Sequence, residues 1–488
     1  MKSKRLLAMM LALVIAVSFC ACAKQEKEIS GEGDVPEILW HDRGSYTKDH
    51  ELVYAEVNKY VKEKLGITVK NQPFVGSEYT EKLRLALASG EAFDMAFTSN
   101  GSNYVANAGN GAFLDIEELL NTHGKDVKAL LPEYILNAAR VKGVLYAVPA
   151  YKDYAQHNVF YYRTDLAEKY NLDFSNVKTL EDWEPMLKAI KENEQGVYPW
   201  LFLPTQTPWI MMPYETVSGG IIGAIAINGD HTKIINPYET EEFMEYLKTM
   251  HRFYKLGYTR PEVATLSNND DANGFMVYQQ ELPYLVDQRN KTDKNGFEWA
   301  VTSIDGPRLT TSCVRGSMMS IGRNSKNPEK TMEFINLLNT DKYLRNLVAY
   351  GIEGKHWVAV GENHYAVPEG FKSLSETGFN SLVYPQGNKY LTRMVEGTPD
   401  DIYEKYQEFD ANAWHSPALG FSFDPTPVKA EYSAINNAYN EYMPAILTGT
   451  AEPESTLPVA LKKLEDAGLS KLLAEMQSQY DEWRAQQK

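Results

Sequence analysis

Apolar residues in this chain fall into runs whose spacing predicts their elements. Residues 37–41 (EILWH) read as a strand, and residues 42–46 as its exit loop. Leu52, Val53, Val57, Tyr60, Val61 and Leu65 share one face of a helix over 49–65, which Gly66 stops. Residues 67–74 predict a second strand. Residues 79–88 predict a helix, although Leu83, Leu85 and Leu87 also alternate like a strand. Residues 94–98 (DMAFT) predict a third strand. Strand, helix, strand, helix, strand implies a parallel sheet with crossovers. Further strands are expected over 143–149, 159–162 and 313–322. Helices are expected over 166–170, 180–192 behind a Thr179 cap, and 241–256 behind Thr240 with the stripe Phe243, Tyr246, Leu247, Met250 and Phe253. Helices over 328–339 and 343–349 follow, the second ended by Gly351. Residues 219–228 are Gly-rich and apolar, and 428–487 read as mostly helical. There is no internal repeat.

The first residues follow another pattern. Lys2, Lys4 and Arg5 precede an unbroken apolar run over 6–17, and Cys-Ala-Cys at 20–22 follows. Charge, apolar run and small residues in that order predict a secretory signal peptide over 1–21. The run is too short for a membrane-spanning helix of about 20 residues. Its end resembles the lipobox of bacterial lipoproteins, in which a cysteine is lipidated and becomes the first mature residue. Ala21 gives Cys22 the small neighbour that position wants, whereas bulky Phe19 precedes Cys20. The competing reading is a plain signal peptide with incidental cysteines. Residues 22–35 are charged and aperiodic, a flexible lipidated tether.

A chain of 488 residues has room for two or three domains. Cys313 is the one cysteine beyond the leader, so neither an internal disulfide nor a cysteine zinc site is expected, and it reads as a small core residue. The formal charge is −16, and loss of residues 1–21 with their three basic groups leaves −19. That sign argues against nucleic acid or anionic lipid as a partner. The 31 tyrosines and 8 tryptophans combine flat apolar faces with polar edges, which suits a polar, ring-shaped ligand. Most of them are expected in the core.

Catalytic motifs are scarce. HExxH, GxSxG and the Walker loop are absent. SNVK at 175–178 matches SxxK without its partner motifs. Asn269, Asp271, Asn273 and Gly274 fall at calcium-loop positions, but Gln280 stands where the closing acid belongs. Among 65 acidic residues, glycosidase-like pairs are inevitable, so Asp94, Asp153 and Asp424 read as caps or hydrogen-bonding groups. His356 and His415 are not read as metal ligands, and no cofactor is expected.

Several stretches together resemble the extracellular solute-binding lipoproteins of ABC importers, family 1, the carbohydrate-leaning class. They are ASGEAFDMAF at 88–97, GVLYAVPAYKDYAQHNVFYYRTD at 143–165, TLEDW at 179–183, the return passage at 317–341, YGIEGKHW at 350–357 and FSFDPTP at 421–427. The long helical tail is similar to a subgroup of large Gram-positive members and exceeds that of the compact sugar-binding proteins. The resemblance implies an α/β, two-lobed periplasmic-binding-protein-like fold of type II, with the ligand cleft between lobes joined by a hinge. The first lobe is expected at 36–150 plus 302–365, and the second at 151–301 plus 366–488. It implies a monomer that captures a small ligand, an oligosaccharide by preference, and passes it to membrane permease subunits, held to the membrane by its lipid. Two other readings stay open: a secreted glycan-cleaving enzyme, and the same binding fold serving a peptide or another polar solute.

Loops after first-lobe strands should face the cleft, which nominates Trp40, Asp42, Arg43, Ser99, Asn100 and Asn103 as ligand-binding. The crossing loop adds Tyr151, Lys152 and Asp153, and Arg315 lies near the return crossing. Trp200 and Trp209 flank a Pro-containing loop, Trp357 closes YGIEGKHW, and Trp414 stands beside His415. Indole faces would stack on sugar rings, and the polar groups would take hydroxyls, or a carboxylate in the case of Arg43 and Lys152. Packing, caps and surface ion pairs compete for every one of these residues.

Overall fold

The computed structural model describes residues 35–206, 213–217, 222–267, 273–280, 296–303 and 306–487. Strand Glu37–Arg43 organises the first sheet. It runs parallel to Thr68–Phe74 on one side and to Met95–Thr98 on the other, with Trp40 opposite both Asn71 and Met95. Parallel neighbours require crossovers, and helices His50–Leu65 and Gly76–Ser89 supply them. The first helix buries Val53, Val57 and Val61 at the predicted spacing. It closes at Gly66, whose φ of 68° lets its N–H reach the Lys62 carbonyl. Leu52 leaves the predicted stripe and lies on the solvent side. In the second helix Leu83 points inward and Leu85 outward, which accounts for the strand-like alternation there.

Met318–Ile321 enters this sheet antiparallel, between Met95–Thr98 and Ala147–Pro149. The strand expected over 313–322 is therefore shorter, covering only Met318–Ile321. Thr310 caps a helical turn, Thr311–Val314, before the strand begins, and the Cys313 thiol is buried in that turn.

The second sheet runs Trp299–Ser303, Asn158–Arg163, Gly274–Gln280, Tyr198–Leu201. Asn158–Arg163 is antiparallel to both of its neighbours. Helix Glu241–Lys255 begins at Thr240 as expected and buries the predicted stripe. Thr179 and Asp182 cap each other's backbone at the start of the preceding helical segment. The C-terminal helices Lys429–Leu447, Pro453–Asp466 and Leu469–Gln486 share this core: Ile435, Leu464 and Met476 cluster with Phe160, Trp183 and Phe275. Two sheets with separate apolar cores make the two-lobed α/β fold.

Residues 366–395, expected with the second lobe, pack on first-lobe elements instead. Phe379 belongs to the first core, the Asp49 N–H donates to the Gly378 carbonyl, and the Asn388 amide donates to the Asn339 carbonyl. The sequence resemblance did not resolve this return, because loops of this kind carry little periodicity.

Among the described residues three passages of chain join the lobes, and they hydrogen-bond to one another. Gln156 and Arg308 form an antiparallel bridge, and Arg308–Leu309 runs parallel to Trp414–His415. Arg315 fastens this junction. Its guanidinium, 1 % exposed, donates to the carbonyls of Ala138 (2.7 Å), Arg140 (2.6 Å) and Gly420 (3.2 Å) and to the Ser422 hydroxyl. Burial lowers its pKa to about 10. Arg315 is thus a structural bolt, and its nomination as a ligand contact is corrected. Arg315→Ala would strip one buried and two part-buried carbonyls of their donor, and a buried group left orphaned costs about 1–3 kcal/mol. The expected loss is about 3 kcal/mol or more, read as a lower urea midpoint; an unchanged midpoint would refute the role.

Candidate ligand-binding cleft

In an open α/β sheet, ligands bind beyond the carboxyl ends of the strands. Here those ends bring together the loops after Arg43, Thr98 and Pro149, with the return strand starting from the same edge at Ser317. Along it runs the segment 378–390. The segment is tied at one end by Asp49 and at the other by the Lys389 N–H on the Tyr151 carbonyl, 2.8 Å.

Successive strand residues face opposite ways, so neighbouring positions have different fates. Asp42 is 2 % exposed and accepts from Asn71 (3.2 Å) and Gln386 (2.5 Å) through Oδ2. Burial pushes its pKa up to about 7, only partly opposed by those amides, the Arg43 N–H and the Arg345 charge. Arg43 is partly open to solvent. Its Nη1 donates to the Tyr384 hydroxyl at 2.6 Å, and its guanidinium lies 5.7 Å from the centre of the Phe97 ring. Beyond Thr98, Ser99 and Ser102 form a reciprocal cap that sets a helical turn. Asn103 follows with φ 60°, and Asn100 and Asn103 are exposed.

The crossing loop carries a second polar group. Asp153 is buried and paired with Lys389. Burial would raise its pKa, but the charges of Lys389 and Lys152 outweigh burial and hold it below the usual carboxylate range. Lys152 donates to the Asp153 carbonyl at 2.8 Å, and the half-buried Tyr151 meets the Tyr390 ring edge-on at 5.1 Å. Asp410 accepts the N–H groups of Tyr154 and Ala155, and burial raises its pKa to about 6. Across the junction, Trp414 is half-buried in its hinge strand. Glu215 approaches Ser416 and Arg308, with burial raising its pKa to about 7.

The tryptophan nominations fare worst. Trp40 is sealed in the first core against Phe334, and Trp200 in the second beside Phe202. Trp357 is 4 % exposed and spends its N–H on the Gly351 carbonyl. All three are packing residues here, because a large apolar face is better buried than open. Trp209, Cys20, Cys22, Asn269 and Asp271 lie outside the described residues. His356 is buried, accepting from the Ile352 N–H (2.9 Å) and lying 3.2 Å from Asp49, while His415 packs on Tyr134. Among the described residues no cluster has the makings of a metal site.

Sequence reasoning missed Tyr384, Gln386, Lys389, Tyr390, Asp410 and Glu215. The string YPQGNKY at 384–390, aromatic and amide residues around Pro and Gly, was the available signal. A cavity of about 300 Å³ lined by Leu87, Phe93, Asn107 and Arg323 opens at the opposite end of the first sheet, away from the crossings.

Comparison with known proteins settles the family. The model for bacterial extracellular solute-binding proteins matches residues 55–352, and that for a domain of unknown function (DUF3502) matches 417–485. The chain belongs to the bacterial extracellular solute-binding proteins. A relative from Streptococcus pneumoniae, a carbohydrate ABC transporter substrate-binding protein, is 34 % identical over 96 % of each chain. The crystal structure of the N-glycan transport solute binding protein NgtS, also from Streptococcus pneumoniae, is 32 % identical. It superposes with a TM-score of 0.83 over 93 % of this chain and 100 % of its own. The NgtS complex with Man1GlcNAc gives 0.75 over 92 % and 99 %, and that with Man5GlcNAc 0.72 over 93 % and 99 %, both at 32 % identity. A solute-binding protein of this family is not an enzyme and works outside the cytoplasm.

Asp42 gives this solute-binding protein a pH signature. Its carboxyl keeps a proton to about pH 7 when folded but only to about 3.8 when unfolded. The stability carried by the protonated form is complete below pH 3.8 and is lost as pH rises through 7. Asp42→Asn cannot ionise, so from about pH 4 to pH 7 it should gain on the parent by about 1 kcal/mol per pH unit, the difference levelling off above pH 7. Urea midpoints of both proteins across that range check it, and a constant difference would refute it.

Proposed function

We propose that the protein captures an extracellular oligosaccharide between its two lobes and hands it to the permease subunits of an ABC importer. The observation that carries this reading is likeness along nearly the whole chain to NgtS, a sugar transport protein solved with mannose–N-acetylglucosamine glycans. The first lobe is taken as the body around Glu37–Arg43 and the second as that around Asn158–Arg163, with the hinge where Gln156, Arg308 and Trp414 meet.

Arg43, Asn100 and Asn103 supply donors and acceptors to sugar hydroxyls from the first-lobe edge, and Ser99 shapes their loop. Tyr151, Lys152 and Trp414 line the hinge side, with Asp153 paired to Lys389 behind them. Asp42 acts behind them by holding Gln386. Trp209 remains a proposed stacking face from the second lobe. The protein acts as a monomer and carries lipid on Cys22.

Thermal unfolding of the purified protein against mannose–N-acetylglucosamine oligosaccharides, other glycans and peptides tests the ligand. A ligand at 100 times its Kd adds about 2.7 kcal/mol, a visible shift. Stabilisation by glycans that are recovered intact is the expected result; stabilisation by peptides alone would overturn the carbohydrate reading. For the anchor, Cys22→Ser should abolish a diacylglyceryl mass increment and release the protein from the membrane fraction. Release by Cys20→Ser instead would move the anchor to Cys20.

A further inference from the structure

Two tyrosines on the first-lobe edge are exposed but not idle. Tyr384 is 36 % exposed and its hydroxyl accepts the Arg43 Nη1–H. Tyr46 is 62 % exposed, donates its hydroxyl proton to Glu51 and lays its ring on His50, with centroids 4.5 Å apart. Each ring has its polar end hydrogen-bonded, which narrows the directions its open face can take. An exposed aromatic fixed in this way contacts a ligand without first losing rotamer freedom.

Arg43 completes the arrangement. Among the described residues no carboxylate lies within salt-bridge distance of it. Its guanidinium is backed by the Phe97 ring and gives one N–H to Tyr384, leaving further donors for an outside acceptor. The wall behind is stiff. Gln386, two residues past Tyr384, is fully buried and donates to Asp42 and to Ser381 Oγ (3.1 Å), and Asn71 donates to the same Asp42 oxygen. Val383, the residue before Tyr384, has its carbonyl held by the buried Arg345. A single cation with spare donors beside fixed aromatic faces fits a neutral sugar: C–H faces on the rings, oxygen acceptors on the guanidinium.

We infer that Arg43 and Tyr384, with Tyr46 three residues along the same loop, form a first-lobe subsite for a neutral sugar residue, Arg43 binding its acceptor oxygens and the tyrosines its ring face. This rests on the proposed capture of an oligosaccharide. The acceptor is either an acetamido carbonyl or a pair of ring hydroxyls.

Calorimetric titration of the purified protein tests it, with a mannose–N-acetylglucosamine oligosaccharide and a mannose-only oligosaccharide of equal length. Tyr384→Ala and Arg43→Gln should each weaken binding about tenfold or more, with unfolding midpoints close to the parent's. Tyr343→Ala, at a 56 % exposed tyrosine whose ring meets that of Tyr60 at a tilt, in a helix behind the sheet, should bind as the parent does. A larger effect of Arg43→Gln on the N-acetylated ligand identifies the carbonyl as the acceptor, and equal effects identify the hydroxyls. If Tyr384→Ala folds poorly, Tyr384→Phe keeps the ring, removes the Arg43 anchor, and should weaken binding by about threefold. Parental affinity in folded Tyr384→Ala and Arg43→Gln overturns the subsite while leaving oligosaccharide capture intact. Failure of the parent to bind any oligosaccharide overturns both.

Discussion

A buried guanidinium holds the lobes of this protein in register. Taking a cation out of water is costly unless its donors are satisfied, and Arg315 meets that condition with carbonyls from two separated stretches, 138–140 and 420–422. The cage therefore fixes the third passage of chain against the first lobe. Trp414–His415, a few residues before that cage, can then pair with Arg308–Leu309, and Gln156 bridges the same Arg308. The crossings are thus tied together by backbone hydrogen bonds, as a hinge made of a few element-terminal residues requires. The first-lobe loops assigned to ligand lie along the edge that these crossings border.

At that edge the polarity of the first strand does the sorting. Asp42 faces inward, buried with its pKa pushed up to about 7, and its Oδ2 serves as a hydrogen-bonding post for Asn71 and Gln386. Arg43, one residue on, faces outward and is partly open to solvent. A ligand then meets a cation and fixed aromatic faces instead of an acid, which suits a neutral polyol. The crossing-loop acids do not alter this, since Asp153 is buried under Lys389 and Asp410 under two backbone N–H groups.

Much of the fold was legible because helices and strands imprint a period on the sequence. Helices His50–Leu65 and Glu241–Lys255 fell where their apolar stripes predicted, and the alternation of strand and helix gave the parallel sheet. The return of 366–395 to the first lobe carries no period, so it was not legible. The site was half legible for a related reason. Strand order identifies which loops share an edge, hence Arg43, Ser99 and Tyr151. Direction within a strand does not reveal depth, and Trp40 is buried because Phe334, almost 300 residues later, covers it. Tyr384 is bonded to Arg43 across 341 residues, a pairing no local pattern encodes.

The C-terminal helices bear on how the second lobe should be understood. Residues 417–485 match a family model of their own, yet they do not make a core of their own. Ile435, Leu457, Leu464, Leu472 and Met476 lie in one cluster with Phe160, Trp200 and Phe243. The junction is close: Gly449, with φ 76°, sits so near the Met250 carbonyl that a Cβ would meet it at 2.3 Å. The Gly449 carbonyl in turn lies 2.7 Å from His251 Nδ1. An appended module would bury its own apolar face and leave the host core closed. Here the tail completes the host core, and its first residues, 420–422, also form part of the Arg315 cage. The same stretch of chain therefore finishes the second lobe and sets its hinge, so the lobe's stability and its movement rest on shared residues.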